Sequence, residues 1–201
     1  MILLAIDTAL DACQATLIKD DAVLSLKSET MQRGQAERLA PMVKEVMAEA
    51  GLPFTALDRI AVTTGPGSFT GVRVGLAFAR ALALALSKPC VGVSTLEAFA
   101  FEQGEGPLRA AIVETPGAAY AALFGEHALA PCAVEKSEAR ARIAAAAGER
   151  SFALRASSEG PLNIARFARR AALLDPAIYP PNPLYLRQPL RQMEPAPAEA
   201  S

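Results

Sequence analysis

Histidine is almost absent from this chain, and that scarcity excludes more chemistry than any motif supplies. Among 201 residues only His127 offers an imidazole, so HExxH, a facial triad and a His-rich zinc site are all excluded. His127 follows Gly125-Glu126 with no catalytic partner nearby in sequence, and it reads as a surface residue. The three cysteines, Cys13, Cys90 and Cys132, are odd in number and widely spaced. Without a CxxC pair they suggest neither a zinc ribbon nor a redox dithiol, and buried free thiols in a reducing compartment are the reading that fits. Basic surplus is lacking too. Lys plus Arg (20) against Asp plus Glu (21) leaves a net charge of −1, whereas a protein gripping nucleic acid alone needs cations to neutralise phosphates. None of the lysines follows a glycine loop, so there is no Walker A motif. The longest apolar run, Val74 to Leu86, contains Arg80 and falls short of the roughly 18 residues of a membrane span. The opening Met-Ile-Leu-Leu lacks the basic flank and cleavage site of a signal peptide. These absences lead us to expect a soluble, cytoplasmic protein with no membrane partner.

Apolar residues make up 52% of the chain, enough for one large domain or two small ones. Ile2 to Ile6 is short and continuously apolar, as a strand buried on both faces should be. Ala12 to Lys19 and Ala22 to Ser28 follow as strands across the two-residue turn Asp20-Asp21. Gln35 to Ala50 has helical spacing closed by Gly51, Arg59 to Thr64 is a strand, and a helix runs to Leu86. Cys90 to Val93 is a strand and Thr95 to Glu102 a short helix. The order βββαβαβα belongs to layered α/β folds. Gly104-Glu105-Gly106-Pro107 is the expected boundary between a lobe at 1–103 and a smaller one at 108–187. The second should hold strands near Arg109 to Val113, Ala119 to Phe124 and Phe152 to Leu154, and helices at Ser137 to Ala147 and Leu162 to Leu174. Residues 188–201 read as a disordered tail.

Three features could carry function. Asp7-Thr8 ends a buried strand at a turn, where a carboxylate can serve phosphate chemistry or simply cap the turn. In Gly65-Pro66-Gly67-Ser68-Phe69-Thr70-Gly71 the glycines sit one residue off the dinucleotide fingerprint. The loop could hold a phosphate at the following helix N-terminus, or its glycines could permit a sharp reversal and close helix packing, which we favour. From Gly71 to Leu86 only Arg73 and Arg80 are polar, and a helix apolar nearly all round needs cover nearly all round. Gly71, Gly75, Ala79 and Ala83 form a ridge without bulk that another backbone could approach. Arg140, Arg142, Arg150, Arg155, Arg166, Arg169 and Arg170 have few aromatic neighbours, and read as a solvated face rather than a base-stacking surface.

Several strings together resemble the TsaB (YeaZ) family: Ile2-Leu3-Leu4-Ala5-Ile6-Asp7-Thr8-Ala9, Arg38-Leu39-Ala40-Pro41-Met42, Thr64 through Arg73, Gly92-Val93-Ser94-Thr95-Leu96 and Pro183-Leu184-Tyr185-Leu186-Arg187. The resemblance implies a two-lobed α/β fold of the actin/Hsp70/sugar-kinase (RNase H-like) type with a reduced second lobe. It implies a non-catalytic scaffold subunit required for N6-threonylcarbamoyladenosine formation next to the tRNA anticodon. Its partners would be TsaD directly and TsaE through the TsaB–TsaD pair, with tRNA met only within the complex. ATP and a metal would belong to those partner subunits, and a homodimer would form when TsaD is absent. In TsaD-like relatives two histidines ligate metal where Thr95 and Phe99 stand here, and neither side chain can replace an imidazole.

The family resemblance makes the two first-lobe helices the partner surface. The interface set is Leu39, Met42, Val43, Val46, Arg73, Gly75, Leu76, Ala79, Arg80 and Ala83. Asp7, Thr8, Gly65, Gly67 and Ser68 would be a vestigial phosphate loop. Gln35, where many members have His, and Glu114-Thr115-Pro116, where many have Asp-Ala-Arg, depart from the family pattern. The competing reading is a small-molecule kinase or nucleotide-binding enzyme of the same superfold, using Asp7 and the Gly65 loop.

Overall fold

Period-two and period-3.6 patterns in this chain resolve into two sheets with helices on both sides. The computed structural model describes residues 1–103, 106–126 and 128–186. His127, the boundary residues Gly104 and Glu105, Arg187 and the tail 188–201 lie outside the described residues.

The first sheet contains β1 (Ile2–Asp7), β2 (Ala12–Lys19), β3 (Ala22–Thr30), β4 (Arg59–Thr63) and β5 (Cys90–Val93). Their order is β3-β2-β1-β4-β5. The first three form an antiparallel meander, turned through Asp20 at φ 54, and β4 runs parallel to both β1 and β5. β1 shows why its sequence is apolar without alternation: Leu4 and Ile6 enter one core, Leu3 and Ala5 the other. Over Leu4 and Ile6 lie α1 (Gln35–Glu49) and α2 (Phe69–Leu86), which bring Leu39, Met42, Val43, Val46, Val72 and Leu76 onto the sheet. At 18 residues α2 is long and apolar enough to cross a membrane by length and composition alone, longer than the uninterrupted run suggests. Its inner ridge is spent on the sheet.

The second sheet follows α3 (Thr95–Ala100) and contains β6 (Leu108–Thr115), β7 (Ala118–Gly125), β8 (Leu129–Val134) and β9 (Ala153–Ala156). Its order is β8-β7-β6-β9, with a β6–β7–β8 antiparallel meander and β9 parallel to β6. Among the described residues this repeats the first sheet's plan without a fifth strand, so the two-lobed RNase H-like architecture is present and its second lobe is reduced. α4 (Ala139–Ala147) covers one face through Ala139, Ile143 and Ala147. β8 was not expected from sequence. Pro131 argues against a central strand, but β8 is an edge strand, where a missing N–H costs no ladder bond.

The cut at 104–107 separates the sheets and does not separate the cores. α5 (Ile164–Ala172) falls in the expected second lobe, yet it lays Phe167, Ala168 and Ala171 in one cluster with Leu3, Ala5 and Ile18 of the first sheet. In that same cluster α3 sets Phe99 with Ala111 and Val113 of the second. Polar ties cross the boundary as well. Arg59 Nη1 donates to the carbonyls of Ala171, Ala172 and Leu174 at 3.3, 3.0 and 2.8 Å, closing the C-terminus of α5. Buried Glu102 accepts from Arg155 Nε (3.0 Å) and from the Asn163 amide. Beyond α5, residues 175–186 form a strap along the open edge of β5. Gly92 N–H donates to Tyr179 O (2.9 Å) and Leu184 N–H to Thr64 O (2.8 Å). The strap then reaches α2, where Arg80 donates to Asn182 (2.8 Å) and Arg73 to Tyr185 Oη (3.2 Å).

Candidate functional site

The two sheets leave a cavity of about 420 Å³ between them. The first lobe lines it with Asp7, Leu10, Asp11, Ala12, Gln14, Thr30 and Ser68, and the second with Glu114, Thr115, Pro116, Ser157, Ser158 and Leu162. Asp7 sits at the last position of β1, so its side chain emerges where the strand ends. Its Oδ1 accepts from Thr63 Oγ1 (2.6 Å) and from the Ala9 amide (3.0 Å). Burial pushes the Asp7 carboxyl above the ordinary carboxylate range, against the pull of those two donors. Directly across the ladder from Asp7 stands Gln14, buried, with its Nε2 lacking any hydrogen-bond partner. On the far wall the Ser157 hydroxyl accepts from the Glu114 amide (2.9 Å), fixing the β6–β7 end of the cleft.

The glycines of the string serve close packing. A Cβ at Gly67 would lie 2.2 Å from Ala9 O, and one at Gly71 2.0 Å from Thr8 O. Only glycine permits these contacts, in which the α2 entry sits directly on the turn after β1. Two amides of the string are engaged within the chain: Ser68 N–H with Ala9 O (2.7 Å) and Gly71 N–H with the Ser68 cap (3.3 Å). Thr8 Oγ1 donates to Gly71 O (2.7 Å), and Gly65 O accepts from the Thr95 amide (2.8 Å). Of the expected phosphate loop, only Asp7 and Ser68 line the cavity; Thr8, Gly65 and Gly67 hold the backbone together. The sequence also missed Gln14, Asp11, Thr30, Ser157 and Ser158. A glutamine inside the largely apolar strand Ala12–Lys19 was the available signal.

The expected partner surface needs a similar correction. Leu39, Met42, Val43, Val46, Gly75, Leu76, Ala79 and Ala83 are buried in the chain's own core. The small-residue ridge faces the sheet: a Cβ on Gly75 would stand 2.6 Å from Thr8 Oγ1 and 3.4 Å from Val62. From the expected set only Arg73 and Arg80 face solvent, and both are tied to the strap. Arg73 also stacks on Phe69, 3.6 Å from the ring centroid. The outward side of α2 instead presents Ala77, Ala81, Ala85 and Leu84, the last 82% exposed. Beside it α1 exposes Ala36, Pro41, Lys44 and Ala48.

Few of the clustered arginines are a free solvated face. Arg150 closes α4 through Ala147 O (2.8 Å), Arg169 reaches Asp21 O (2.9 Å), Arg170 pairs with Glu97 (3.2 Å), and Arg155 and Arg166 hold Glu102. Thr95 and Phe99 lie one turn apart on α3, both buried, Phe99 within the core shared by the two lobes. Among the described residues no three His, Cys, Asp or Glu side chains gather as a metal site.

Comparison with known proteins adds an independent line. The family model for "TsaD: tRNA N6-adenosine threonylcarbamoyltransferase" matches residues 26–180. A protein named "tRNA threonylcarbamoyladenosine biosynthesis protein TsaB" from Escherichia coli is 43% identical over 96 residues, 48% of this chain and 41% of that protein. A "tRNA N6-adenosine threonylcarbamoyltransferase" from Erythrobacter litoralis is 37% identical over 115 residues, 49% of this chain and 33% of that protein. The chain thus spans less than half the length of the curated relatives it matches. The solved structure of YeaZ from Pseudomonas aeruginosa superposes with a TM-score of 0.71 at 25% identity, covering 92% of this chain and 99% of that one.

Proposed function

The chain belongs to the tRNA N6-adenosine threonylcarbamoyltransferase (TsaD) family and within it to the TsaB (YeaZ) group, and from this premise we propose that it is a non-catalytic scaffold subunit. It serves formation of N6-threonylcarbamoyladenosine next to the tRNA anticodon in the cytoplasm. It binds and activates TsaD, and the pair recruits TsaE. ATP and a metal are held by those subunits, and this chain contributes neither.

One observation carries the reading: the outer face of α2. Ala77, Ala81 and Ala85 recur at i, i+4 and i+8 beside exposed Leu84, giving a flat apolar stripe that a second helix can approach closely. Neighbouring α1 widens it into a two-helix platform, suited to a four-helix arrangement with an equivalent pair in TsaD. In the absence of TsaD the same platform suits a second copy of this chain about a two-fold axis. The chemistry agrees, since Thr95 and Phe99 stand where the family resemblance places metal-ligating imidazoles. The kinase alternative finds little support, because the glycines of the loop it would use are taken up in close packing on the turn after β1.

The test is co-purification of the full chain with TsaD, with tRNA modification measured in the reconstituted mixture. Ala81→Trp and Leu84→Arg, both on solvent-facing positions, should each weaken TsaD binding by about tenfold or more and lower modification in parallel. Their circular dichroism and Tm should stay at parental values. Normal TsaD binding by both variants would refute the proposed surface, and modification at full rate without this chain would refute the scaffold role.

A further inference from the structure

Two cations on the outer side of α2 are left without a counter-charge. Arg73 and Arg80 are the only charged residues of that helix, both exposed on the flank beside the strap. Among the described residues neither makes an ion pair. Elsewhere the chain pairs its arginines: Arg38, Arg155 and Arg170 meet carboxylates, and Arg59, Arg150 and Arg169 meet backbone carbonyls. The partners on α2 are neutral side chains. Arg73 Nε donates to Tyr185 Oη (3.2 Å) and Arg80 Nη2 to Asn182 Oδ1 (2.8 Å). The Arg73 guanidinium also lies over Phe69, 3.6 Å from the ring centroid. These contacts set the place of each guanidinium while using one N–H apiece, and the rest of each donor fork stays available. A free exposed arginine loses rotamer entropy when it binds. A pair already held by neutral groups is preset for acceptors that another molecule supplies.

The spacing identifies those acceptors. Seven helical residues at 1.5 Å each put the two cations about 10 Å apart, two turns along one side. Ala77 and the 82% exposed Leu84 share the same outer arc. A nucleic-acid backbone follows a continuing track of cations, yet α2 has no third and the strap 175–186 contains neither lysine nor arginine. Two charges set among apolar positions instead suit a protein helix lying along α2. We propose that Arg73 and Arg80 clamp two carboxylates, two turns apart, on the TsaD helix that packs against α2. The clamp rests on the platform reading of α2 and gives the partner its charge and its register. Attraction at such a rim acts mainly on the rate of encounter and on its salt dependence.

Calorimetric titration of the full chain with TsaD, from about 50 to about 500 mM salt, tests this through charge reversal. Parental binding should weaken as salt rises. Arg73→Glu/Arg80→Glu should bind about thirtyfold more weakly at low salt and recover as salt is added, since repulsion is screened in its turn. Arg73→Lys/Arg80→Lys, which keeps both charges, should stay within about threefold of the parent. Tyr185→Phe, which removes the bond to the strap and leaves the cation, should bind as the parent does. All of these exposed variants should keep the parental Tm. Parental affinity and salt dependence in the charge-reversed variant overturn the clamp, and a loss confined to tRNA retention by the complex would assign the pair to phosphates instead. Tighter TsaD binding by Glu194→Gln/Glu199→Gln overturns it too, because those are the two acidic residues after the strap and the chain's own tail would then be the occupant. Ala81→Trp separates the two readings: if it still blocks TsaD while the reversed pair binds normally, the platform stands and the clamp alone falls.

Discussion

The two lobes are built on one strand plan and filled with different residues. The first sheet is packed by α1 and α2 with leucine, methionine and valine: Leu39, Met42, Val43, Val46, Met47 and Leu76. In the second lobe six of the ten buried residues under α4 are alanine: Ala110, Ala119, Ala121, Ala139, Ala147 and Ala156. Burial stabilises roughly in proportion to apolar area, so equal topology gives the second lobe a much smaller hydrophobic contribution. It compensates by leaning on the first, through the shared cluster around Phe99 and Phe167 and the buried Glu102–Arg155 pair. The lesson is that a strand plan can persist after the residues that would make a lobe self-sufficient have gone.

The most damaging way to break this comparison is at the shared cluster. Phe167→Ala should cost about 3–5 kcal/mol and loosen both lobes in a single denaturant transition. Two separate transitions would mean the lobes are more independent than their common core implies. Next in size, Ala79→Trp should destabilise the chain by about 1–3 kcal/mol in urea melts, because the ridge has no room against the sheet. A parental midpoint would put that ridge outside the core. The smallest effect concerns Asp7. Its folded pKa is raised above the unfolded one, so the folded state holds the proton more tightly. Stability present at acid pH is therefore lost as pH rises through the folded value. Asp7→Asn, neutral throughout, should melt higher than the parent at neutral pH and show a flatter Tm–pH curve above about pH 4. A parental curve would mean that Asp7 carries no such burden.

How far the sequence could be read follows the same division. Strands β1, β2, β4 and β5 and both long helices were legible to within a few residues, because large apolar side chains recur there at clear periods. β8 was hidden by Pro131, whereas α4 was legible as a helix from its alanine and arginine composition to within two residues. The site was less legible than the fold for a different reason. Periodicity identifies which residues need cover, never what covers them. The ridge Gly71–Gly75–Ala79–Ala83 was read as a partner's groove, and Thr8 and Val62 of the same chain fill it. The family resemblance led to α1 and α2 but could not assign their sides. Gln14 and Ser157 meet at one cavity only because two lobes face each other, which no local pattern encodes.

The grip of Arg59 on the end of α5 also sets an order of events in synthesis. Its contact with Leu174 joins positions 115 residues apart, and α5 provides the cover for Leu3, Ala5 and Ile18. When the first five strands leave the ribosome, one side of their sheet is still bare, and it remains so until nearly the whole described chain has been made. A contact that distant is slow to form, since loop closure must precede any reward from packing. The nascent first lobe therefore passes through a stage with an exposed apolar sheet, the kind of surface on which aggregation begins and chaperones act. α5 is what ends that exposure.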